Sequence, residues 1–323
     1  MKHHNISSIE PNNRIESVYL IRELDKKSKK NGEPFVALVL QDATGTARAI
    51  MWDKAEIFLN NHAGVGDFVL VKADAGVYNR NLQLTLREAQ KVDSEVVELE
   101  KFLPRSKRPL PEMKKELDMW VDKVQTPYLK ALLHTFFSDD AYFKAFLRAP
   151  SARKMHQAYL GGLAEHTLGV VKNAVTIAAN YGDMDMDLLI TGALLHDGAK
   201  VYEYEFKTAI DFTDRGRLLG HLTMMSAEIE LRAREIPDFP DDKKMLLQHM
   251  VLSHHGRMEY GSPKLPQTAE ALVLSYSDYI DAYLSTYFEA REKALANGER
   301  WTGWVDIFGS YLYAGEPHFE EEI

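Results

Sequence analysis

The chain has 323 residues, 45% hydrophobic and 27% charged, with a formal net charge of −9 and no cysteine. The absence of cysteine excludes disulfides, thiolate metal sites and cysteine nucleophiles, and the length allows two domains. No apolar run approaches the roughly 20 residues of a membrane-spanning helix, and the opening MKHHNISSIE lacks the apolar stretch of a secretory signal, so a cytoplasmic protein without a membrane partner is expected. The charge is unevenly placed. Residues 1–95 hold 13 Lys+Arg and 13 Asp+Glu, leaving 26 against 35 in the remainder. An acidic half suits bound metal cations.

Residues 14–93 carry β periodicity. Ile15–Ile21 opens the pattern, and a polar loop is expected over Asp25–Gly32. Phe35–Leu40 follows, then a turn at Asp42-Ala43-Thr44-Gly45, a strand through Ala47–Trp52, a short helix from Asp53 to about Asn61, and strands at Phe68–Lys72 and Leu82–Leu86, with Asn79-Arg80-Asn81 as the turn between them. Five strands with a helix between the third and fourth is the order of an OB-fold, a small barrel that often binds single-stranded nucleic acid, although several small barrels fit the β pattern alone. Phe35, Trp52 and Tyr78 are the candidate stacking residues, and Lys26, Lys27, Lys29 and Lys30 the candidate phosphate contacts. The plainer reading puts Phe35 and Trp52 in the core and leaves the lysines to solvate a loop.

The period then becomes helical and stays so. Arg105–Pro111 reads as a linker, and Glu112–Phe137 and Asp140–Leu147 as two amphipathic helices. Near the C-terminus, Trp301, Trp304, Phe308, Tyr311 and Tyr313 are expected to pack the domain's own core rather than a partner subunit, so homo-oligomerisation is left open.

Six metal-ligating residues recur on or at the end of apolar helix faces. His166 lies among Leu163, Val170, Ala174 and Ile177. The run Leu188, Leu189, Ala193, Leu194 ends in His196-Asp197, after which Gly198 is expected to stop the helix. His221 begins a helix after Gly220. Leu247, Met250, Val251 and His254 share one face, with His255 turned toward its edge. Ala271, Leu274, Ser275 and Asp278 share another, with Asp281 competing for the inward position. Any one buried histidine is more often satisfied by a private partner than by an ion. Six polar groups set where core residues belong are economical only if they converge on metal, since unpaired polar groups are costly in a core. Imidazole with carboxylate suits Mn, Fe, Co, Ni or Zn better than Mg or Ca. Six ligands exceed one tetrahedral ion, so two divalent ions bridged by Asp197 are expected.

H…HD…H…H…D resembles the HD-domain metal-dependent phosphohydrolases. Phe146-Leu147-Arg148-Ala149-Pro150, His156, Tyr159-Leu160-Gly161-Gly162-Leu163, His196-Asp197-Gly198-Ala199-Lys200, Gly220-His221-Leu222, Ser253-His254-His255-Gly256, Glu259-Tyr260-Gly261-Ser262-Pro263 and Asp278 with Asp281-Ala282 are similar to the YhaM family of bacterial 3′-to-5′ exoribonucleases. Phe35, Asp42-Ala43-Thr44-Gly45 and Trp52-Asp53 extend the likeness to the N-terminal half. Met155-His156-Gln157 departs from it where a second histidine is expected. The resemblance implies an OB-fold over 1–95, a helical connection over 96–150 and an HD-domain helical bundle over 151–323. It also implies manganese or a similar ion, and trimming of single-stranded RNA or DNA to 5′-mononucleotides by a metal-activated hydroxide. Lys200 is expected to contact phosphate, His255 and His156 to steer it or protonate the leaving oxygen, and Arg257 to hold the neighbouring phosphate. The rival readings are an HD hydrolase of nucleotides or cyclic dinucleotides, and a non-catalytic nucleic-acid-binding regulator.

Overall fold

The computed structural model describes residues 3–60, 63–78, 81–93, 96–98, 101–152, 157, 159–206 and 210–316. The chain forms two compact units, Met1–Arg105 with Phe206–Ile210, and Ser106–Glu205 with Asp211–Ile323.

In the first unit, strands β1 (Arg14–Ser28), β2 (Pro34–Asp42), β3 (Gly45–Met51), β4 (Phe68–Tyr78) and β5 (Asn81–Val92) close into a barrel in the order β1-β2-β3-β5-β4, with helix α1 (Ala55–Asn60) between β3 and β4. β3 and β5 run parallel and the other pairs antiparallel. This is the OB-fold topology. Alternate side chains fill the barrel: Val36, Leu38 and Leu40 of β2 meet Tyr19, Ile21, Val69, Val71 and Leu84, as the two-residue strand period requires. The turn after β2 is held by Asp42, whose buried carboxylate accepts from the backbone of Ile6 (2.7 Å), Thr44 (2.7 Å) and Gly45 (3.1 Å). The expected turn between β4 and β5 falls on Asn79 and Arg80, outside the described residues.

The expected polar loop begins later than the sequence suggests. β1 continues to Ser28, with Lys26 opposite Val36 and Lys27 opposite Phe35. Its side chains from Asp25 onward are exposed, so no hydrophobic alternation marks it as strand. Phe35 and Trp52 are not core residues either. Phe35 is half-buried, Trp52 is 42% exposed, and their rings stack 4.7 Å apart at 29°. Tyr78 is exposed.

The second unit is helical: α2 (Leu110–Lys123), α3 (Pro127–Phe137), α4 (Asp140–Arg148), α5 (Gly162–Ala178), α6 (Met186–Leu195), α7 (Lys200–Glu203), α8 (Asp214–Arg234), α9 (Asp241–Ser253) and α10 (Ala269–Ala296). A short hairpin, β6 (Tyr204–Phe206) with β7 (Ile210–Phe212), precedes α8, and a second, β8 (Trp301–Val305) with β9 (Ser310–Tyr313), follows α10. The single helix expected over Glu112–Phe137 is two. Pro127 disfavours helix at the preceding residue and opens α3 instead, with the Thr126 backbone extended. α2 to α4 pack against α5 and α6, while α5 also packs on α10 and α8 on α9. The C-terminal aromatics do not join a core as expected. Trp301, Trp304, Tyr311 and Tyr313 are exposed on the hairpin, and only the half-buried Phe308 turns inward, edge-on to Tyr283.

A candidate metal centre

α5, α6, α8, α9 and α10 each bring a ligand-type side chain to one point. His166 comes from the second turn of α5, His196 and Asp197 from the turn after α6, His221 from a break in α8, His254 from the end of α9 and Asp278 from α10. Gly220 makes the break: at φ 70°, ψ 155° it leaves the helix for one residue, a backbone region that is essentially glycine's alone. α6 ends at Leu195, just ahead of Gly198, the residue expected to stop it. That glycine is absent from the positive-φ residues, and its value is space, since a Cβ there would lie 2.5 Å from the Tyr142 hydroxyl. That hydroxyl donates to the Gly198 carbonyl at 3.2 Å and so braces the dyad.

Asp197 stands at the centre, almost fully buried. Its Oδ2 lies 3.5 Å from Nε2 of His166 and 3.5 Å from Nε2 of His196. Its Oδ1 lies 3.3 Å from Nε2 of His221 and 3.6 Å from Nε2 of His254. Each oxygen therefore faces its own pair of imidazoles. The ligand atoms of His166, His196 and Asp197 lie within 4.8 Å of one another, as do those of Asp197, His221, His254 and His255. Asp278 joins the first group, with Oδ1 3.0 Å from Nε2 of His166.

The outer nitrogen of every ring is already engaged. Nδ1 donates to Asp281 in His166 (2.7 Å), to the Ala193 carbonyl in His196 (2.8 Å), to Glu203 in His221 (3.0 Å), to the Val251 carbonyl in His254 (2.7 Å) and to the Tyr260 carbonyl in His255 (2.8 Å). These partners fix the tautomer and leave the Nε2 lone pairs directed inward, the usual second layer of a metal site. The decisive fit is negative. Asp197 Oδ1, His221 Nε2 and His254 Nε2 are buried with no hydrogen-bond partner, which is costly unless something electropositive sits among them.

The electrostatics agree at the carboxylates, His196 and His255. Burial pushes Asp197 upward, but the Lys200 ammonium and the surrounding histidines hold it well below the carboxylate range. Asp278 is likewise held low against its burial by His166, and Glu203 by His221. Burial lowers His196 to about 4 and His255 to about 3, favouring neutral rings. Burial opposes charging of His166 as well, yet Asp278 and Asp281 outweigh it and raise that pKa to about 10.

Lys200 is neither an exposed helix end nor an unengaged cation. It is buried and donates to Asp197 Oδ2 at 2.5 Å. His156 lies outside the described residues. Arg257 is exposed, over the ring of Tyr260 at 5.8 Å. Lys29 pairs with Glu33 and Asp53 at 3.2 and 3.3 Å, and Lys27 with Asp25 at 3.7 Å. Lys26 lies exposed on β1, and Lys30 is exposed at the turn that follows it. Sequence reasoning missed Glu203. Its partner is 18 residues away and no pattern links the two.

Residues 163–283 match the HD domain model, which implies divalent-metal binding. The chain is 33% identical over 281 residues to the 3′-5′ exoribonuclease YhaM of Bacillus subtilis, covering 87% of this chain and 88% of that protein. The chain belongs to the YhaM family. The YhaM of Geobacillus sp. is 32% identical, with 87% and 86% covered. Among solved structures, the second OB-fold domain of replication protein A from Methanococcus maripaludis matches at 20% identity and a TM-score of 0.24, over 28% of this chain and 96% of that one. Among the described residues no helix is long and apolar enough to cross a membrane.

Proposed function

We propose that this YhaM-family chain is a metal-dependent exonuclease that trims single-stranded RNA, and single-stranded DNA of the same form, from the 3′ end to 5′-mononucleotides. The observation that carries the metal site is the shared carboxylate: two sets of inward Nε2 atoms meet opposite oxygens of Asp197. His166, His196 and Asp278 with Asp197 Oδ2 would hold one ion, and His221 and His254 with Asp197 Oδ1 a second. The N/O donor set, with no sulfur, favours manganese or a neighbouring transition ion. Divalent ions bound there would supply Lewis-acid charge for phosphoryl oxygens and lower the pKa of water.

The remaining roles fall to the chain's own groups. Lys200 keeps Asp197 ionised and aimed. His255, its Nδ1 committed to Tyr260, offers Nε2 to the scissile phosphate or the leaving oxygen, with His156 as its partner in that task. Asp281 orients His166 from outside the ligand set. In the barrel, Phe35, Trp52 and Tyr78 would stack bases, and Lys26, Lys27, Lys29 and Lys30 would track phosphates, while Arg257 would hold the phosphate next to the scissile one. The family's exoribonuclease naming gives the polymer substrate, and the barrel is the part that a nucleotide hydrolase would not need.

The test is a time course on 5′-labelled single-stranded RNA with Mn²⁺, beside a chelated control and Asp197→Ala. A ladder shortening from the 3′ end is expected, lost in the chelated control and slowed at least about a hundredfold in the variant, which should still bind RNA. Intact RNA with every divalent ion tried would refute the reading, and near-normal turnover by Asp197→Ala would refute the bridging carboxylate.

A further inference from the structure

α10 carries tyrosines at 276, 279, 283 and 287, an i, i+3, i+7, i+11 stripe along one face. At about 100° per residue, Tyr279 is turned a quarter of the way round the helix from Asp278, which faces the metal cluster. Tyr276 and Tyr279 are 60% and 46% exposed, so packing of the helical unit does not explain them. The rings of Tyr279 and Tyr283 stack 3.8 Å apart at 24°, and Phe308 supports Tyr283 edge-on at 4.9 Å.

The segment after α9 lies against the same side. A Cβ on Gly256 would come within 2.6 Å of Ser275 Oγ, so this backbone runs tight against α10. The Tyr283 hydroxyl is raised by burial and by the neighbouring hydroxyls of Tyr279 and Tyr260, which puts Tyr260 beside the stacked pair. The aromatic group therefore adjoins the metal cluster twice: along α10 through Asp278 and Tyr279, and along the loop through His255, whose ring donates to the Tyr260 carbonyl at 2.8 Å. Arg257 completes it, 5.8 Å from the Tyr260 ring.

We propose that Tyr260, Tyr279 and Tyr283, with Arg257, form a stacking platform in the helical unit for the 3′-terminal bases of single-stranded RNA. Exposed rings give a sequence-tolerant π-face to any base, and a guanidinium beside them suits the intervening phosphate. RNA is the occupant because the platform is continuous with the cluster where the terminal phosphodiester must lie. The inference rests on the exonuclease reading and adds a subsite distinct from the barrel.

The experiment compares the full chain with Tyr279→Ala, Tyr283→Ala and the matching phenylalanine variants. KM and kcat are measured on an unstructured oligoadenylate with Mn²⁺, and elution volume by gel filtration. The alanine variants should raise KM about tenfold, the scale of one lost base stack, with a smaller change in kcat, and the phenylalanine variants should restore KM. Unchanged KM in the alanine variants would overturn the platform. So would phenylalanine variants as impaired as alanine, which would mean the hydroxyls brace the fold, or a later elution of the alanine variants, which would make the face a contact between copies. Trimming by the parent chain with unchanged KM in the variants sinks the platform alone, whereas a parent chain that leaves the oligoadenylate intact sinks the exonuclease reading together with it.

Discussion

Asp281 shows how a residue outside the proposed ligand set would govern it. Its Oδ2 accepts from Nδ1 of His166 at 2.7 Å and lies 3.4 Å from the Gln157 amide, while Gly169 leaves room for it: a Cβ there would stand 2.0 Å from Asp281 Oδ1. The carboxylate makes His166 a better electron donor through its far nitrogen. Asp281→Asn keeps an acceptor but removes the charge, and should weaken Mn²⁺ binding by about tenfold, read by calorimetry on the full chain. Gly169→Ala, which touches no ligand, should weaken it in the same direction. Equal affinity in both variants would mean that His166 needs no such support. The side chains that converge on Asp197 could be picked out in the sequence because each is a ligand-type residue on or at the end of an apolar helix face. Their supports could not. Glu203, the Ala193 carbonyl and the Val251 carbonyl are chosen by tertiary geometry, and a carbonyl leaves no trace in residue type.

Among the elements, α8 depends most on a single residue. Gly220 turns the chain so that His221 starts a second helical segment, with its backbone N–H and Nδ1 both on Glu203 at 3.0 Å. No atom crowds Gly220 closely, the nearest being Glu203 Oε1 at 3.9 Å from a built Cβ. Alanine there would thus be strained by its backbone alone, by about 1–3 kcal/mol. Gly220→Ala should lower the melting temperature of the helical unit by a few degrees and reduce metal affinity by displacing His221. An unchanged melting profile would show that the break relaxes into ordinary helix at no cost. The start at His221 was legible from the Gly-His pair. The preceding segment Asp214–Leu219 was not, because it is polar and its Leu218 and Leu219 are exposed, so it carries no apolar stripe. The same reason hid the end of β1, whereas the barrel strands, with one face buried, declared their period. The hairpin β8–β9 reversed the expectation for its aromatics, since a two-stranded ribbon cannot cover four large rings.

For the whole molecule, each unit has its own interior: the closed barrel buries its apolar side chains within itself, and the residues of the candidate metal centre all come from the helical unit. Removing residues 1–95 should therefore raise KM for long RNA while sparing hydrolysis of a small diester such as bis(p-nitrophenyl) phosphate. Loss of both together would show that the units do not work independently. The order of the two units was legible because the period changes from two to 3.6 between them. The three partnerless atoms around Asp197 also have a consequence for the life of the protein outside catalysis. Each buried orphan costs about 1–3 kcal/mol, a penalty carried by the metal-free fold and relieved on binding. Metal affinity is thereby linked to folding, and stability should grow with the logarithm of free metal concentration. Chelation should lower the melting temperature of the helical unit and leave that of the barrel in place, so that two overlapping transitions in Mn²⁺ separate in EDTA. A cell short of the ion would then lose the protein to proteolysis as well as its activity, so abundance would report metal supply.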